Sequence, residues 1–311
     1  MAKVAFLFSG QGAQYVGMGK DLYKNFITAR RTFEEADDIL KEPISKICFE
    51  GPEDVLRETI NTQPAILTHS IACFKILSEY GIKPDVVAGL SLGEYSALVA
   101  AGSLDFSDAV PLVRKRGVYI QEAVPIGKGG MAAIIGLKKE QVTKICEEVT
   151  DIGKVEAANF NCPGQIVLSG EVAALKKAVE LAKRNGAKKA VVLSVSAPFH
   201  CSLLKPAAEK LAEELSKIEI KDAKIPLISN VNADFVVDGS GIKEMLIKQV
   251  SFPVLWEDSI YRMLENHIDT FVEIGPGRTL IGFVKKIDRN LTTLNVEDVD
   301  SLKKTIEYFG G

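Results

Sequence analysis

Hydrophobic residues along this chain follow two patterns: short continuous apolar runs, and longer stretches with apolar positions three or four residues apart. Apolar runs that end at glycine-containing turns occupy residues 3–8, 85–93 and 269–277, which predicts buried parallel strands. Helical spacing predicts helices at residues 62–81, 94–102, 106–123, 206–217 and 279–287, and another with Trp256, Ile260, Met263 and Leu264 on one face. The first of these helices would hold Pro64 in its first turn. This alternation predicts an α/β fold.

The middle of the chain has a different rhythm, which begins after a turn-rich segment at residues 125–130. Strand patterns cover residues 131–137, 155–161, 165–169 and 188–196, and helical patterns cover residues 138–149 and 171–185. The predicted order is therefore βαββαβ, the order of a ferredoxin-like arrangement. We expect an inserted subdomain at residues 127–197, between the two parts of a core at residues 1–126 and 198–311.

Composition and charge exclude several classes of function. The chain has 311 residues, 47% of them hydrophobic, and its 38 Lys and Arg against 41 Asp and Glu give a net charge of −3. A chain of this charge lacks the cationic field that holds nucleic acid. Its amino-terminal apolar run is shorter than a signal peptide requires, and no stretch reaches the roughly 18 apolar residues of a membrane span. We expect a cytoplasmic protein that binds neither nucleic acid nor a membrane.

Cysteine and histidine are too scattered for a metal centre. The five cysteines form no C-x-x-C pair, which argues against a structural zinc site, and their odd number argues against a disulfide framework. The three histidines, His69, His200 and His267, do not lie at metal-ligand spacing. We expect no metal site.

The sharpest candidate for chemistry is a G-x-S-x-G sequence, Gly89-Leu-Ser-Leu-Gly93, where an apolar run meets a helical pattern. Glycines two residues on either side let a strained strand-to-helix turn form, which exposes the hydroxyl of Ser91 and brings the N–H of Leu92 near it. The following helix directs its positive end to the same place. The motif favours Ser91 as a nucleophile over the alternative, an ordinary turn between a strand and a helix.

A serine nucleophile needs a base within about 3 Å, most often an imidazole. His69 and His267 lie in helical patterns, where a histidine more often contacts the edge of a core or solvent. His200 lies in an irregular stretch after a predicted strand, which is where α/β folds place functional groups. His200 is therefore the candidate base, and the alternative is a loop histidine that caps a backbone carbonyl.

Arg116 falls on or beside the apolar stripe of the helix predicted at residues 106–123, whereas Arg114 and Lys115 point away from it. From there the guanidinium could extend to solvent, which is the commoner behaviour. It could also bind a substrate carboxylate in a bidentate manner. The pattern alone leaves both interpretations open.

The glycine turn at residues 10–14 lacks a nucleotide-binding signature. Tyr15 occupies the position of the third glycine of G-x-G-x-x-G, and the chain has no G-x-x-x-x-G-K-[ST] loop, so dinucleotide binding and phosphoryl transfer are disfavoured. The turn instead offers Gln11 and backbone amides at the end of a strand, which are suited to stabilising an oxyanion.

Six motifs in order along the chain carry a resemblance to a known family. They are Phe8-Ser-Gly-Gln-Gly-Ala-Gln14, Thr62-Gln-Pro-Ala65, Gly89-Leu-Ser-Leu-Gly-Glu-Tyr-Ser96, Gly130-Met-Ala-Ala133, Ala158-Asn-Phe-Asn-Cys-Pro-Gly-Gln165 and Glu273-Ile-Gly-Pro-Gly277. Over nearly the whole chain, this set resembles the malonyl-CoA:acyl carrier protein transacylases of type II fatty-acid synthesis. The resemblance implies an α/β-hydrolase-like core with a mainly parallel sheet, interrupted by a smaller ferredoxin-like subdomain, in agreement with the boundaries expected above.

The resemblance also implies roles for individual residues. Ser91 matches the acylated nucleophile and His200 matches its general base and acid. Gln11 and the backbone amide of Leu92 match the oxyanion hole. Arg116 matches the residue that binds the free carboxylate of the malonyl group.

Further matches concern the surroundings of this pair. Gln249 falls where the family uses a backbone carbonyl to orient the histidine, in place of an acidic triad member, and Asn161, Phe199 and Met131 match residues that line the pocket. Many relatives have histidine before the serine, where this chain has Leu90, a difference expected to alter the pocket rim and leave the pair intact. Phe199 resembles the malonyl-selective form, so a methylmalonyl unit is expected to fit poorly.

The implied activity is ping-pong transfer of a malonyl group from its coenzyme A thioester to the phosphopantetheine thiol of acyl carrier protein, without a metal or redox cofactor. Because such carriers are acidic, a local basic face is expected, with the lysine pairs at residues 188–189 and 285–286 as candidates. A serine esterase or thioesterase is the alternative with the same G-x-S-x-G turn, but it gives Arg116 no role. A non-catalytic carrier-docking module is the third, and it does not explain why Ser91 and His200 occur together.

Overall fold

Two β-sheets and the helices packed on them make up the structure, a computed structural model that describes residues 3–195 and 197–310. The strands are β1 (Val4–Phe8), β2 (Val86–Gly89), β3 (Gly129–Ile135), β4 (Val155–Cys162), β5 (Gln165–Glu171), β6 (Lys189–Val192), β7 (Leu227–Ile228), β8 (Phe235–Val236), β9 (Thr270–Ile274) and β10 (Thr292–Val296). The α-helices are α1 (Lys20–Asn25), α2 (Ile27–Leu40), α3 (Ile44–Glu50), α4 (Glu53–Arg57), α5 (Thr59–Glu79), α6 (Gly93–Ala100), α7 (Phe106–Ala123), α8 (Lys139–Glu148), α9 (Val172–Arg184), α10 (Lys205–Ser216), α11 (Gly239–Gln249), α12 (Trp256–Glu265), α13 (Thr279–Ile287) and α14 (Val299–Tyr308).

The larger sheet has the strand order β10-β9-β1-β2-β7-β8 and is parallel except for β8. Its strands are apolar on both faces: Phe6 and Phe8 of β1 contribute to one core, and Ala5 and Leu7 contribute to another. Burial of both faces explains the continuous apolar runs of the sequence. The fold is therefore α/β with a mainly parallel sheet, as predicted.

Strand register places three turns at one edge of this sheet. Phe8, the last residue of β1, pairs with Gly89 at the end of β2 and with Ile274 at the end of β9. The turns that begin at residues 9, 90 and 275 therefore lie side by side. Ligand sites of α/β sheets form at this carboxyl edge.

The smaller sheet is antiparallel, with the strand order β4-β5-β3-β6. Its elements follow one another as β3, α8, β4, β5, α9 and β6, the βαββαβ order that the sequence predicts, and they enclose an apolar core of their own. The backbone of Val254 joins this sheet to the rest: its N–H donates to Ala158 O at 2.8 Å, and its carbonyl accepts from Phe160 N–H at 2.9 Å. The expected boundaries of the subdomain stay a prediction.

Two local predictions about helices are wrong. Helix α5 begins at Thr59, before the predicted start at residue 62, so Pro64 lies in its second turn rather than its first. The helix starts earlier than predicted because the Glu58 carbonyl already accepts hydrogen bonds from the N–H groups of Asn61 and Thr62. His267 was expected inside a helix, but α12 ends at Glu265 and His267 lies beyond it with a φ of +64°. By contrast, α7 and α13 begin and end at the predicted residues.

The last predicted strand of the smaller sheet is shorter than its apolar run. The pattern covers residues 188–196, whereas β6 ends at Val192. Within the described residues, strand β6 lies at the edge of the sheet and pairs with β3 alone, and Val192 is 51% exposed. An apolar run therefore continues here without strand pairing. Residue 196, the predicted end of the strand, lies outside the described residues.

Among the described residues, no helix combines the length and the apolar character that crossing a membrane requires. All five cysteines are free and buried. Within residues 3–195 and 197–310, no group of three or more His, Cys, Asp and Glu side chains is arranged to hold a metal ion.

Candidate active site

Ser91 lies at a sharp turn between β2 and α6. Its φ of +54° is in the left-handed region, which is unusual for a residue with a side chain. The flanking glycines permit this turn: a Cβ on Gly89 would lie 1.9 Å from the carbonyl carbon of Gly93, and one on Gly93 would lie 2.1 Å from Phe8 O. The structure thus has the strained strand-turn-helix geometry that the G-x-S-x-G sequence predicts.

Asn230, in the loop after β7, holds this turn in place. Its Oδ1 accepts a hydrogen bond from the Ser91 N–H at 2.7 Å, and its Nδ2 donates to Gly89 O at 2.8 Å. Both bonds are buried, where a lost partner is costly. Sequence reasoning missed Asn230, because a lone asparagine 139 positions away carries no local signal.

Ser91 and His200 form a hydrogen-bonded pair. Nε2 of His200 lies 2.6 Å from Ser91 Oγ, and Nδ1 lies 2.8 Å from the backbone carbonyl of Gln249. Because a carbonyl only accepts, Nδ1 must carry the ring proton, which leaves Nε2 to accept from the serine hydroxyl. Ser91 is 8% exposed and His200 is 3% exposed, so the pair is buried.

Arg116 reaches the same oxygen from α7. Its Nη2 donates to Ser91 Oγ at 3.1 Å and to Gln249 Oε1 at 3.1 Å, and its Nη1 donates to Gln63 Oε1 at 3.1 Å. The side chain is only 2% exposed, so the interpretation in which its guanidinium extends to solvent is wrong. All three of these hydrogen bonds are to neutral groups, so none of them pairs Arg116 directly with an anion. Gln63 was missed as a contact of Arg116, although it lies in the Thr62-Gln-Pro-Ala65 motif.

The glycine turn after β1 packs on the residue that precedes the nucleophile. A Cβ on Gly10 would lie 2.4 Å from Leu90 O, so glycine is needed for this close approach. The Gln11 side chain donates to Thr59 Oγ1 at 3.1 Å. In the described part of the chain, the backbone N–H groups of Gln11 and Leu92 donate to no oxygen. Two unpaired donors on adjacent turns can serve an oxyanion.

The three remaining candidates lie in or near the smaller sheet. Met131 is in β3, Asn161 is near the end of β4, and Phe199 immediately precedes His200; all three are buried. The Oδ1 atom of Asn161 is buried and has no hydrogen-bond partner within residues 3–195 and 197–310. Their roles as pocket lining stay a prediction.

The other two histidines lie elsewhere. Nε2 of His69 is 2.9 Å from the backbone carbonyl of Glu297, and burial lowers the pKa of His69. His267 is exposed. Only His200 contacts Ser91 among the three.

Burial and the nearby positive charge of Arg116 lower the pKa of His200 to about 3, while the Gln249 carbonyl acts in the opposite direction. A group whose charged form is disfavoured stays neutral above its pKa. The imidazole is therefore neutral, and able to accept a proton, throughout the neutral pH range.

Arg116→Ala is expected to raise the pKa of His200 toward about 6.5, the ordinary value of histidine, because it removes one of the two causes of the depression. NMR titration of the imidazole ring protons measures this pKa, and His200→Gln assigns the resonance. Arg114→Ala removes another arginine of the same helix, one that pairs with Glu42; it is the control and should leave the titration unchanged. An equal pKa in wild type and Arg116→Ala would contradict the electrostatic account.

Known proteins resemble this chain over almost its whole length. Residues 5–303 match the acyl transferase domain family. The malonyl CoA-acyl carrier protein transacylase of Bacillus subtilis (strain 168) is 52% identical over 308 residues, which cover 99% of this chain and 97% of that protein. The crystal structure of the Clostridium perfringens malonyl CoA-acyl carrier protein transacylase has a TM-score of 0.96 at 49% identity, covering 99% of this chain and 97% of that chain. A malonyl-transacylase in complex with its type II PKS acyl-carrier protein has a TM-score of 0.97 at 42% identity, with coverage of 99% and 100%. The chain therefore belongs to the acyl transferase domain family and, within it, to the malonyl CoA-acyl carrier protein transacylases.

Proposed function

We propose that this chain transfers the malonyl group of malonyl-CoA to the phosphopantetheine thiol of acyl carrier protein, in fatty-acid biosynthesis, through a malonyl ester of Ser91. The observation that carries the proposal is the contact between a buried guanidinium and the nucleophile: Arg116 Nη2 lies 3.1 Å from Ser91 Oγ. A cation at this position suits an acyl group that ends in a carboxylate. The names of the most similar relatives support the same reaction.

The first half-reaction forms the acyl-enzyme. The Ser91 hydroxyl gives its proton to Nε2 of His200, at 2.6 Å, as Oγ attacks the thioester carbonyl. The backbone N–H groups of Gln11 and Leu92 would hold the tetrahedral oxyanion. The carbon–sulfur bond then breaks, His200 returns the proton to the departing coenzyme A sulfur, and the malonyl group stays on Ser91.

The second half-reaction uses the same groups in reverse. His200 takes the proton of the carrier's phosphopantetheine thiol, whose sulfur attacks the Ser91 ester. The oxyanion collapses, the serine oxygen leaves, and His200 returns the proton to it. One thioester is exchanged for another, so the reaction needs little driving force. Arg116 would bind the malonyl carboxylate throughout and position the ester carbonyl for the incoming thiol.

The finer architecture is part of the proposal. Residues 1–126 and 198–311 would form an α/β-hydrolase-like catalytic core, supported by the strand-turn-helix geometry at Ser91 in a mainly parallel sheet. Residues 127–197 would form a ferredoxin-like subdomain, supported by the strand order β4-β5-β3-β6.

The proposed reaction uses only side chains, backbone amides and the two substrates, without a metal or redox cofactor. Five free cysteines fit a cytoplasmic location.

The acceptor distinguishes this proposal from a thioesterase, which would send the acyl group to water. The wild-type chain is incubated with malonyl-CoA and either holo acyl carrier protein, apo carrier protein without the phosphopantetheine thiol, or no carrier. We expect malonyl-carrier to form only with the holo carrier, at a rate well above that of free malonate. Malonate as the main product under all three conditions would support the thioesterase instead.

Phe199→Ala is expected to raise the rate with methylmalonyl-CoA relative to malonyl-CoA by roughly tenfold, since a pocket discriminates one methyl group by about 10- to 200-fold. Phe199 is buried beside His200, and its smaller replacement would leave room for the branch. The donor ratio is measured from acylation rates, and the malonyl rate of the same variant is its internal control. An unchanged ratio would remove Phe199 from the specificity pocket.

Replacing Lys188, Lys189, Lys285 and Lys286 by Glu is expected to raise the KM for acyl carrier protein about tenfold at low salt, with little change in the KM for malonyl-CoA. All four are exposed, but Lys285 donates to backbone carbonyls and Lys286 donates to Gln165 Oε1 at 2.8 Å. The pair at residues 188–189 is therefore also tested alone. Glu at residues 303 and 304, another exposed lysine pair, gives the same change of net charge as the variant at residues 188–189 and is its control. An unaltered carrier KM would refute this docking face.

A further inference from the structure

The mechanism above uses neither of two buried carboxylates, Glu94 and Glu273, and Glu94 is the one bonded to the residues that hold the nucleophile and its base. Glu94 is the second residue of α6 and is 1% exposed. Its Oε2 accepts a hydrogen bond from Gln249 Nε2 at 2.7 Å and from the backbone N–H of Asn230 at 3.3 Å. Burying a carboxylate costs free energy unless the group is paired with a cation and hydrogen-bonded.

Gln249 and Asn230 connect this carboxylate to the groups of the reaction. Gln249 Nε2 also donates to Ser91 O at 2.9 Å, and its Oε1 accepts from Arg116 at 3.1 Å. The backbone carbonyl of the same residue orients His200, and Asn230 holds the Ser91 N–H. A single carboxylate therefore supports both residues that position the nucleophile and its base.

Glu94, Ser91 O and Arg116 together fix which way the side-chain amide of Gln249 faces. A carboxylate oxygen only accepts, so the amide must present its NH2 group to Glu94 and its oxygen to Arg116. The reversed amide would place its oxygen against the carboxylate and its NH2 group against the guanidinium. Ser91 O and Arg116 select the same orientation, and loss of Glu94 would remove the shortest of the three hydrogen bonds that hold it.

The negative charge of Glu94 gives a second reason to assign this residue a role in the site. Glu94 and Arg116 contact opposite atoms of the same amide in a buried site, so each compensates the charge of the other. Arg116 faces Glu94 from α7, and Tyr95, its neighbour in α6, is neutral because burial raises the pKa of Tyr95 to about 12. The loop after β7 and helix α11 contribute neutral groups, among them the side chain of Ser229.

We propose that Glu94 is a positioning residue of this transferase: it strengthens the hold on the Gln249 amide and supplies the negative charge that balances Arg116 until a malonyl carboxylate arrives. This inference rests on the proposed malonyl transfer. A malonyl carboxylate on Arg116 brings a second negative charge into the same buried site. Binding of malonyl, but not of acetyl, should therefore be stronger when Glu94 is protonated.

The protonation state of Glu94 is accessible in ordinary buffers. Burial raises the pKa of Glu94 to about 7, against the opposing effects of hydrogen bonds from Gln249 and Asn230 and of the Arg116 charge. The titration of Glu94 thus falls in the neutral range, well separated from that of His200. Burial also raises the pKa of Glu273, at the end of β9, to about 7, so a pH dependence is assigned to Glu94 by its loss in the Glu94→Gln variant.

The experiment measures kcat/KM for acylation by malonyl-CoA and by acetyl-CoA as a function of pH, and takes the ratio, in which titration of the shared coenzyme A phosphates cancels. In the wild type the malonyl-to-acetyl ratio should rise roughly 5- to 10-fold as the pH falls through the pKa of Glu94. Glu94→Gln keeps an oxygen acceptor for Gln249 and Asn230, so its ratio should be high and independent of pH. Glu209→Gln, an exposed substitution on α10, should behave as the wild type.

Glu94→Ala separates the hydrogen bonds from the charge. It should lower kcat for both donors by about tenfold or more, and Glu94→Gln should restore most of this loss. A wild-type pH dependence in Glu94→Gln, or wild-type kcat in Glu94→Ala, would overturn the inference; if the alanine variant does not fold, the glutamine variant still decides the question. Absence of any malonyl adduct on wild-type Ser91 would instead refute the proposed function itself.

Discussion

Ser91→Ala is expected to lower the rate of malonyl transfer by roughly 10⁴-fold or more, the loss usual for a nucleophile that forms a covalent intermediate. Ser91 Oγ is the oxygen that contacts both Nε2 of His200 and the guanidinium of Arg116. Without this oxygen, the site has no atom that can attack the thioester and carry the acyl group. Transfer from malonyl-CoA to holo acyl carrier protein measures the effect.

Ser107→Ala is the matched control, because Ser107 is an exposed serine on α7. It should transfer malonyl at the wild-type rate. The thermal midpoints of both variants show whether each one folds. A folded Ser91→Ala variant that retains a tenth or more of the wild-type rate would contradict the assignment of Ser91.

Arg116→Ala is expected to lower kcat/KM for malonyl-CoA by roughly 10²- to 10³-fold, since two charge-assisted hydrogen bonds to a carboxylate are lost. Acylation by acetyl-CoA should fall far less, because an acetyl group has no carboxylate to bind. The donor preference should therefore move toward acetyl. Acylation rates with the two thioesters, measured on the same preparation, give the preference directly.

Two further variants separate the charge from the fold. Arg114→Ala removes another arginine of the same helix, partly buried and paired with Glu42 at 2.5 Å, and should change neither donor rate. Arg116→Lys keeps the charge and loses the planar pair of donors, so its malonyl rate should be intermediate. Equal losses for malonyl and acetyl in Arg116→Ala would mean that Arg116 only supports the structure.

The geometry around the nucleophile was predictable from sequence where its signal is local. The G-x-S-x-G turn is local, because Gly89 and Gly93 make the close contacts that the turn at Ser91 requires. Asn230 and Gln63 were not predictable in this way. Asn230 bonds to Ser91 across 139 positions and Gln63 bonds to Arg116 across 53, and a single polar residue in a loop or a helix has no periodicity.

The elements of the fold were also predictable from the sequence where their signal is local. Helices α7 and α13 were predicted to the residue, because both combine regular apolar spacing with clear ends. Strands β7 and β8 are two residues long, too short for any alternation to be recognised; β7 forms by pairing with β2, and β8 by pairing with β7. The short helices between residues 20 and 57 were also not predicted, since three of the four span less than two full turns.

The central claim is that Ser91 carries a malonyl group from one thiol to another, and intact mass tests it most directly. Wild type and Ser91→Ala are mixed briefly with malonyl-CoA and analysed before and after the addition of holo acyl carrier protein. We predict one malonyl adduct on the wild type, located on the peptide that contains Ser91, and none on the variant. The adduct should pass to the carrier in equal amount. Absence of an adduct, or an adduct lost to water at the same rate with and without the carrier, would contradict the account.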